Sequence, residues 1–163
     1  MFHCEECGFE GSIVSETNAE ETIRAIGSRY HAALLGGAAS EEDPHERPRR
    51  RPDPHTWSAL EYAAHMRDVI ALWGWALHRT LTDDQPTLPS ADPDLAERAA
   101  AEASYNQQDP ITVDRELSAN AERMANKVAT IGSHQWRRTA AFGEIEVTPS
   151  GSCARSLTRA ITT

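Results

Sequence analysis

The stretch from Trp57 to Leu81 constrains the fold more than any other part of the chain. Ser58 and Glu61 have capping-box spacing, in which the serine hydroxyl accepts from the third helical N–H and the glutamate reaches back to the cap. Trp57 and Tyr62 occupy the two positions of a hydrophobic staple around it. Tyr62, Met66, Val69, Trp73 and Leu77 then follow helical spacing, giving a helix to about Leu81 with one apolar stripe to bury. Such a helix needs partners of similar length.

Two other segments supply them. Asn18 and Glu21 repeat the capping-box spacing, and Ile23, Ile26, Tyr30 and Leu34 recur at helical intervals until Gly36-Gly37 stops them. Asp109-Pro110 is an aspartate cap with proline at the first helical position, and Val113, Leu117, Met124, Val128 and Ile131 give a long amphipathic helix ended by Gly132. Between the first two helices, Pro44, Pro48, Pro52 and Pro54 punctuate a mixed charge run, Glu41-Glu42-Asp43 and then Arg47 to Arg51. That pattern predicts an exposed, partly extended loop, with the arginines solvated rather than bound to nucleic acid. Breaks at Asp83 to Pro86 and Pro89 to Pro93 precede a predicted short alanine-rich helix from about Asp94 to Asn106.

The last third is less regular. Trp136 to Val147 reads as a connection with some extended character, and Thr148-Pro149 opens a further helix. Beyond it only Leu157 and Ile161 keep helical apolar spacing, too little to cover the face left by three long helices. The expected fold is all-α, an up-down four-helix bundle whose last helix is truncated or replaced. Residues 1–14 form a Cys-x-x-Cys segment, 15–149 the bundle, and 150–163 an aberrant tail in place of most of the last helix.

A chain of 163 residues suits one domain, and a net charge of -9 argues against nucleic acid as partner. The longest apolar stretch, 69–77, is far short of a bilayer span, and the first residues carry acids where a secretory signal would carry bases. The expectation is a cytoplasmic protein with no membrane partner. Three cysteines, two of them Cys4 and Cys7 in one Cys-x-x-Cys, are too few for a disulfide scaffold.

Two constellations carry chemistry. His65 lies beside the buried stripe, where a histidine satisfied by a carbonyl, by Glu61 or by Asp68 is the plain reading. As a metal ligand it would need two or three further donors converging from other helices. "FHCEECGFEG" resembles one knuckle of a zinc ribbon, with Cys4 and Cys7 as thiolates. Only His3 and Cys153 remain to complete it. His31, His78 and His134 fall near helix ends and His45 and His55 in the proline-rich loop, none at ligand-pair spacing with another histidine. No Gly-rich phosphate loop or nucleophile elbow is present, so no catalytic residue can be named from the residues themselves.

The pattern as a whole resembles the DinB superfamily of four-helix metalloproteins, which includes thiol-dependent S-transferases and the mycothiol-dependent maleylpyruvate isomerase domain. The resemblance rests on "TWSALEYAAHMRDV", on "EASYNQQDP" before a long helix, and on an N-terminal "CEECGF" followed by a helix ending in "YHAALL", and it covers roughly residues 1 to 149. It implies a divalent metal, zinc or nickel, held by three histidines, with His65 as the one on the second helix. The other two would be a His-x-x-x-His pair on the last helix, which this chain lacks. The implied activity joins a small-molecule substrate to a low-molecular-weight thiol such as mycothiol, by S-transfer or thiol-assisted isomerisation, in a form expected to bind metal weakly and to be inactive. The alternative is a non-catalytic helical module, a homodimer or partner-binding protein, with a structural zinc knuckle.

Coding arithmetic offers a reason for the tail. Threonine codons begin with AC, so in a frame shifted by one base each threonine preceded by C reads as histidine. Thr158, Thr162 and Thr163 would then become His-x-x-x-His-His. Translation in a shifted frame from near Pro149 is the expectation, and the nucleotide sequence decides it.

Overall fold

The structure, a computed structural model, describes residues 14–36, 43, 45–89, 101 and 103–157. Among these, four α-helices form a bundle: α1 (Ala19–Leu35), α2 (Ala59–Thr82), α3 (Pro110–Ala129) and α4 (Pro149–Ser156). Three short strands, β1 (Thr87–Leu88), β2 (Ala140–Phe142) and β3 (Ile145–Val147), and three single turns of 3-10 helix accompany them. None of the described helices is long and apolar enough to cross a membrane.

The start of α2 forms as its sequence dictates. Ser58 Oγ accepts from the Glu61 N–H at 3.2 Å and Glu61 Oε2 accepts from the Ser58 N–H at 2.9 Å. The Trp57 and Tyr62 rings close the staple at 5.6 Å between centroids. Ser58 is fully buried, and its hydroxyl also accepts from Asn106 Nδ2 at 3.1 Å. Ser58→Ala is expected to cost about 1–2 kcal/mol, read as a lower urea midpoint at unchanged slope. At α3, Asp109 caps by accepting from the Thr112 N–H and hydroxyl at 3.0 and 2.7 Å. The capping box expected at Asn18 does not form: its Oδ1 accepts from the Ser15 N–H at 2.8 Å, stabilising the preceding turn in place of the helix.

Side-chain pairings set the helix directions. Arg24 reaches Glu122 and Asn126, Gly27 faces Ser118, and His31 Nδ1 meets Asp114 Oδ2 at 3.0 Å, so α1 and α3 are antiparallel. A Cβ on Gly27 would sit 3.3 Å from Ser118 Oγ, and the missing side chain is what lets the two helices approach there. Arg67 reaches Gln108 and Glu116, while Gly74 faces Met124, so α2 and α3 run parallel. The up-down relation therefore holds between α1 and each of the other two. Around the bundle the order is α1, α3, α2, α4, with α1 and α2 touching only slightly across the diagonal. Parallel α2 and α3 require the segment between them to return along the bundle, a span of about 36 Å for a helix of 24 residues.

That return carries β1, which pairs parallel with β2, while β2 pairs antiparallel with β3. The β2–β3 turn places Gly143 at φ 61°, the first central position of a primed hairpin turn, where glycine meets no Cβ penalty. Arg138 fastens this sheet to the end of α2 by donating from Nε to the Thr80 carbonyl at 2.7 Å, and Phe142 packs on Trp73 at 5.0 Å. The extended character expected between Trp136 and Val147 is thus a sheet closing one end of the bundle. The alanine-rich helix expected up to Asn106 lies mostly outside the described residues, and its described end is a 3-10 turn, Tyr105–Gln107.

The arginine-rich loop differs from its expectation as a solvated stretch. Arg47 donates to the Leu34 carbonyl at the end of α1 at 3.1 Å, Arg49 donates to the Asn106 carbonyl, and Arg51 pairs with Glu61 at the start of α2. Alternate arginines thereby strap three segments together, and Arg47 serves a carbonyl that a helix end otherwise leaves unsatisfied.

α4 begins at Thr148, whose Oγ1 accepts from the Gly151 N–H at 3.1 Å. Its buried face is small: Pro149, Ser152, Cys153, Ala154 and Ser156, followed by Leu157. These residues pack against α2, with the Arg155 guanidinium 5.6 Å from the Trp73 ring. Most of the 1–14 segment and residues 158–163 lie outside the described residues.

Candidate functional site

His65 stands in the first third of α2, half-buried, with its ring edge-on to Trp57 at 5.4 Å. Trp57 is the hub of an aromatic group, meeting Tyr62 in the staple and Tyr105 in a T-shaped contact at 6.5 Å. The staple that orients the chain into α2 therefore also supplies a wall beside His65.

The two carboxylates one turn from His65 are held by other groups. Glu61 is buried; Arg51 donates to both its oxygens, from Nε to Oε2 at 2.9 Å, and the Ser58 N–H shares Oε2. Burial works to raise its pKa, but Arg51, Ser58 and Asn106 overcome it and hold the carboxyl at about 2. Asp68 Oδ2 accepts from the Tyr105 hydroxyl at 2.6 Å and Oδ1 from Arg67 Nε at 2.8 Å. Burial and this carboxylate together push the Tyr105 hydroxyl above its ordinary range, so it stays a donor.

A divalent metal needs three or four donors converging on one point. Among the described residues no group of three or more His, Cys, Asp or Glu is so arranged. With its two neighbouring carboxylates committed to arginine, His65 is one imidazole donor, and the described residues do not fit a metal centre. Cys153 adds nothing to it: the thiol is fully buried on α4 and burial pushes it up to about 12, whereas a ligand must be a thiolate.

Cys4 and Cys7 of the expected knuckle, and His3 beside them, lie outside the described residues. The described chain resumes at Val14, before the N-terminus of α1, and antiparallel packing puts that end away from His65. The remaining described histidines are dispersed: His31 pairs with Asp114, His45 lies 3.9 Å from Asp109, and His55, His78 and His134 are exposed.

Arg51, Tyr105 and Asn106 shape this region and were not singled out by residue reasoning. The alternation in "RPRRRP" was the available signal for Arg51; Tyr105 and Asn106 fell within "EASYNQQDP", whose value lay only in the resemblance.

No family model matches the chain, and no curated protein matches it. Among solved structures the chain is similar to YfiT from Bacillus subtilis, a probable metal-dependent hydrolase with an unusual four-helix bundle topology. The two share 11% sequence identity and superpose with a TM-score of 0.73 over 90% of this chain and 80% of that one. The likeness shows the fold alone, a four-helix bundle like that of YfiT.

Proposed function

We propose that the chain is built on the plan of a DinB-like metal-dependent enzyme acting on a small molecule with a low-molecular-weight thiol, by S-transfer or isomerisation, with His65 as the ligand position on α2. One observation carries the reading. α4 starts beside the sheet at the far end of α2, and its Arg155 already lies over Trp73, so α4 heads back along α2 toward His65. Trp73 and His65 are eight positions apart, about 12 Å of helix, so two further turns of α4 would come level with His65. Ligands on such turns could meet it there; the sequence at 158–163 has threonines and no histidine.

Because the described donors do not complete a metal centre, no catalytic step is routed through one, and the chain as written is expected to hold metal weakly. Hydrolysis, the activity stated for YfiT, belongs in the same assays as thiol transfer. A second reading is a non-catalytic helical module, with zinc on Cys4 and Cys7. The commitment of Glu61 and Asp68 to arginine and tyrosine favours it, since neither carboxylate is then available to orient or assist a ligand at His65.

Metal analysis of the purified protein tests both. One equivalent of metal lost on His65→Ala but retained on Cys4→Ser with Cys7→Ser supports the His65 site; the reverse pattern supports the knuckle. Absence of both metal and thiol-transfer activity would sink the enzymatic reading for this form.

A further inference from the structure

We propose that the groove between α2 and α3 is a docking surface for an acidic amphipathic helix of a partner protein. On α3, Arg115, Ala119, Arg123 and Lys127 recur every fourth residue and so form one exposed ridge. Across from them α2 presents Ala71 and Trp75, with Trp75 still 40% exposed. Two hollows of about 350 and about 660 Å³ share Asn120 and Arg123 and run together along this line. A Cβ on Gly74 would meet nothing nearer than Met124 at 3.9 Å, so the glycine leaves the groove open.

Charge selects the partner. Among the described residues no carboxylate is within ion-pair distance of Arg115, Arg123 or Lys127, and the guanidinium of Arg123 rests on neutral Asn120. Glu116 and Asp68, the acids lining the groove, are both taken by Arg67. Arg67, Arg115, Arg123 and Lys127 outnumber these two carboxylates, so the lining is net positive beside an exposed tryptophan in a chain of net charge -9 that contains a single lysine. Opposite charge placed along such a line steers association and fixes register.

Shape selects a helix. From Arg115 to Lys127 the ridge advances twelve positions, about 18 Å or three helical turns, and the groove lies between two helices that run parallel. The small side chains of Ala71 and Ala119, with Gly74, permit the 8–10 Å approach that helix packing requires. A second copy in a symmetric pair would set these cations against themselves.

The probe is a 15-residue helical peptide with leucines on one face and glutamates flanking them, compared with its glutamine and lysine counterparts by calorimetry on the full chain. The acidic peptide is expected to bind at least tenfold tighter than the glutamine form and to weaken with salt, and the lysine form to show no binding. Arg123→Glu with Lys127→Glu, and separately Trp75→Ala, should each reduce that affinity at least tenfold with unchanged helical circular dichroism. Equal affinity for the three peptides overturns the proposal. Complete competition by inorganic phosphate or citrate at low millimolar concentration also overturns it, in favour of a small-anion site. So does a dimer in light scattering that dissociates on the charge reversal, in favour of self-association.

Discussion

Glu61→Gln is expected to lower stability at pH 7 by about 3 kcal/mol, and to remove the share of the fold's acid sensitivity that this carboxyl contributes between pH 5 and pH 2. The carboxyl titrates at about 2 in the folded chain against 4.5 without these partners. A depressed carboxyl contributes stability that is complete above the unfolded value and is lost as pH falls through the folded one. Glutamine keeps an oxygen for the Ser58 N–H, so the substitution isolates the pair with Arg51 from the capping box. The cost is that of the lost charge-assisted bonds at the buried Glu61 position, since the exposed Arg51 guanidinium can turn to water once its partner is neutral. Urea midpoints of wild type and variant at pH 7, 5 and 3 give the measurement. The two proteins should converge toward acid; a difference constant across that range would mean that Glu61 acts only as a cap.

The same residue shows what could be read in advance. Glu61 was legible as a capping residue because its partner, Ser58, is three positions away and the requirement is local. Its pairing with Arg51 depends on where a proline-broken loop passes, and an arginine run looks the same whether it is solvated or strapped down. The stripes of α1, α2 and α3 were legible for the same local reason: each helix must bury one face, and its period appears in the order of residues. Helix order and direction were not, since Arg67 with Glu116 and Arg24 with Glu122 are joined only by tertiary packing. Strands of two or three residues, such as Thr87–Leu88, are too short to show a period of two.

At the candidate site, the position of His65 was readable and its surroundings were only half so. Trp57 and Tyr62 were placed around the helix start by their staple spacing, and they do pack there. Tyr105 comes from the turn before α3, and its hydroxyl takes the Asp68 carboxylate that sequence spacing had offered to His65. A spacing of three or four residues says which groups share a helix face, but competition for them is settled by donors from other segments. Arg51 and Tyr105 win here because each is placed to make a direct bond, 2.9 and 2.6 Å respectively, to the carboxylate it holds.

Leu157→Ala should cost about 3 kcal/mol, the usual range for a fully buried leucine being 2–5 kcal/mol. The reason for a value of that size lies in what surrounds it. α4 is eight residues long and buries Pro149, Ser152, Cys153, Ala154 and Ser156, so Leu157, at 1% exposure, is its largest apolar anchor among the described residues. Ser152 Oγ is buried without a hydrogen-bond partner, which makes that helix face weaker still. Ser152→Ala is therefore the matched control, expected to hold or raise stability while Leu157→Ala lowers it. Native-state hydrogen exchange should show the loss concentrated in α4, whose amides would open at lower free energy than those of α3. The length and composition of α4 make it the least anchored member of the bundle, yet it packs on α2 with Arg155 over Trp73. Should Leu157→Ala leave both the urea midpoint and the α4 amides unchanged, the cooperative core would have to be α1, α2, α3 and the sheet alone, with the fourth helix resting on a fold that does not depend on it.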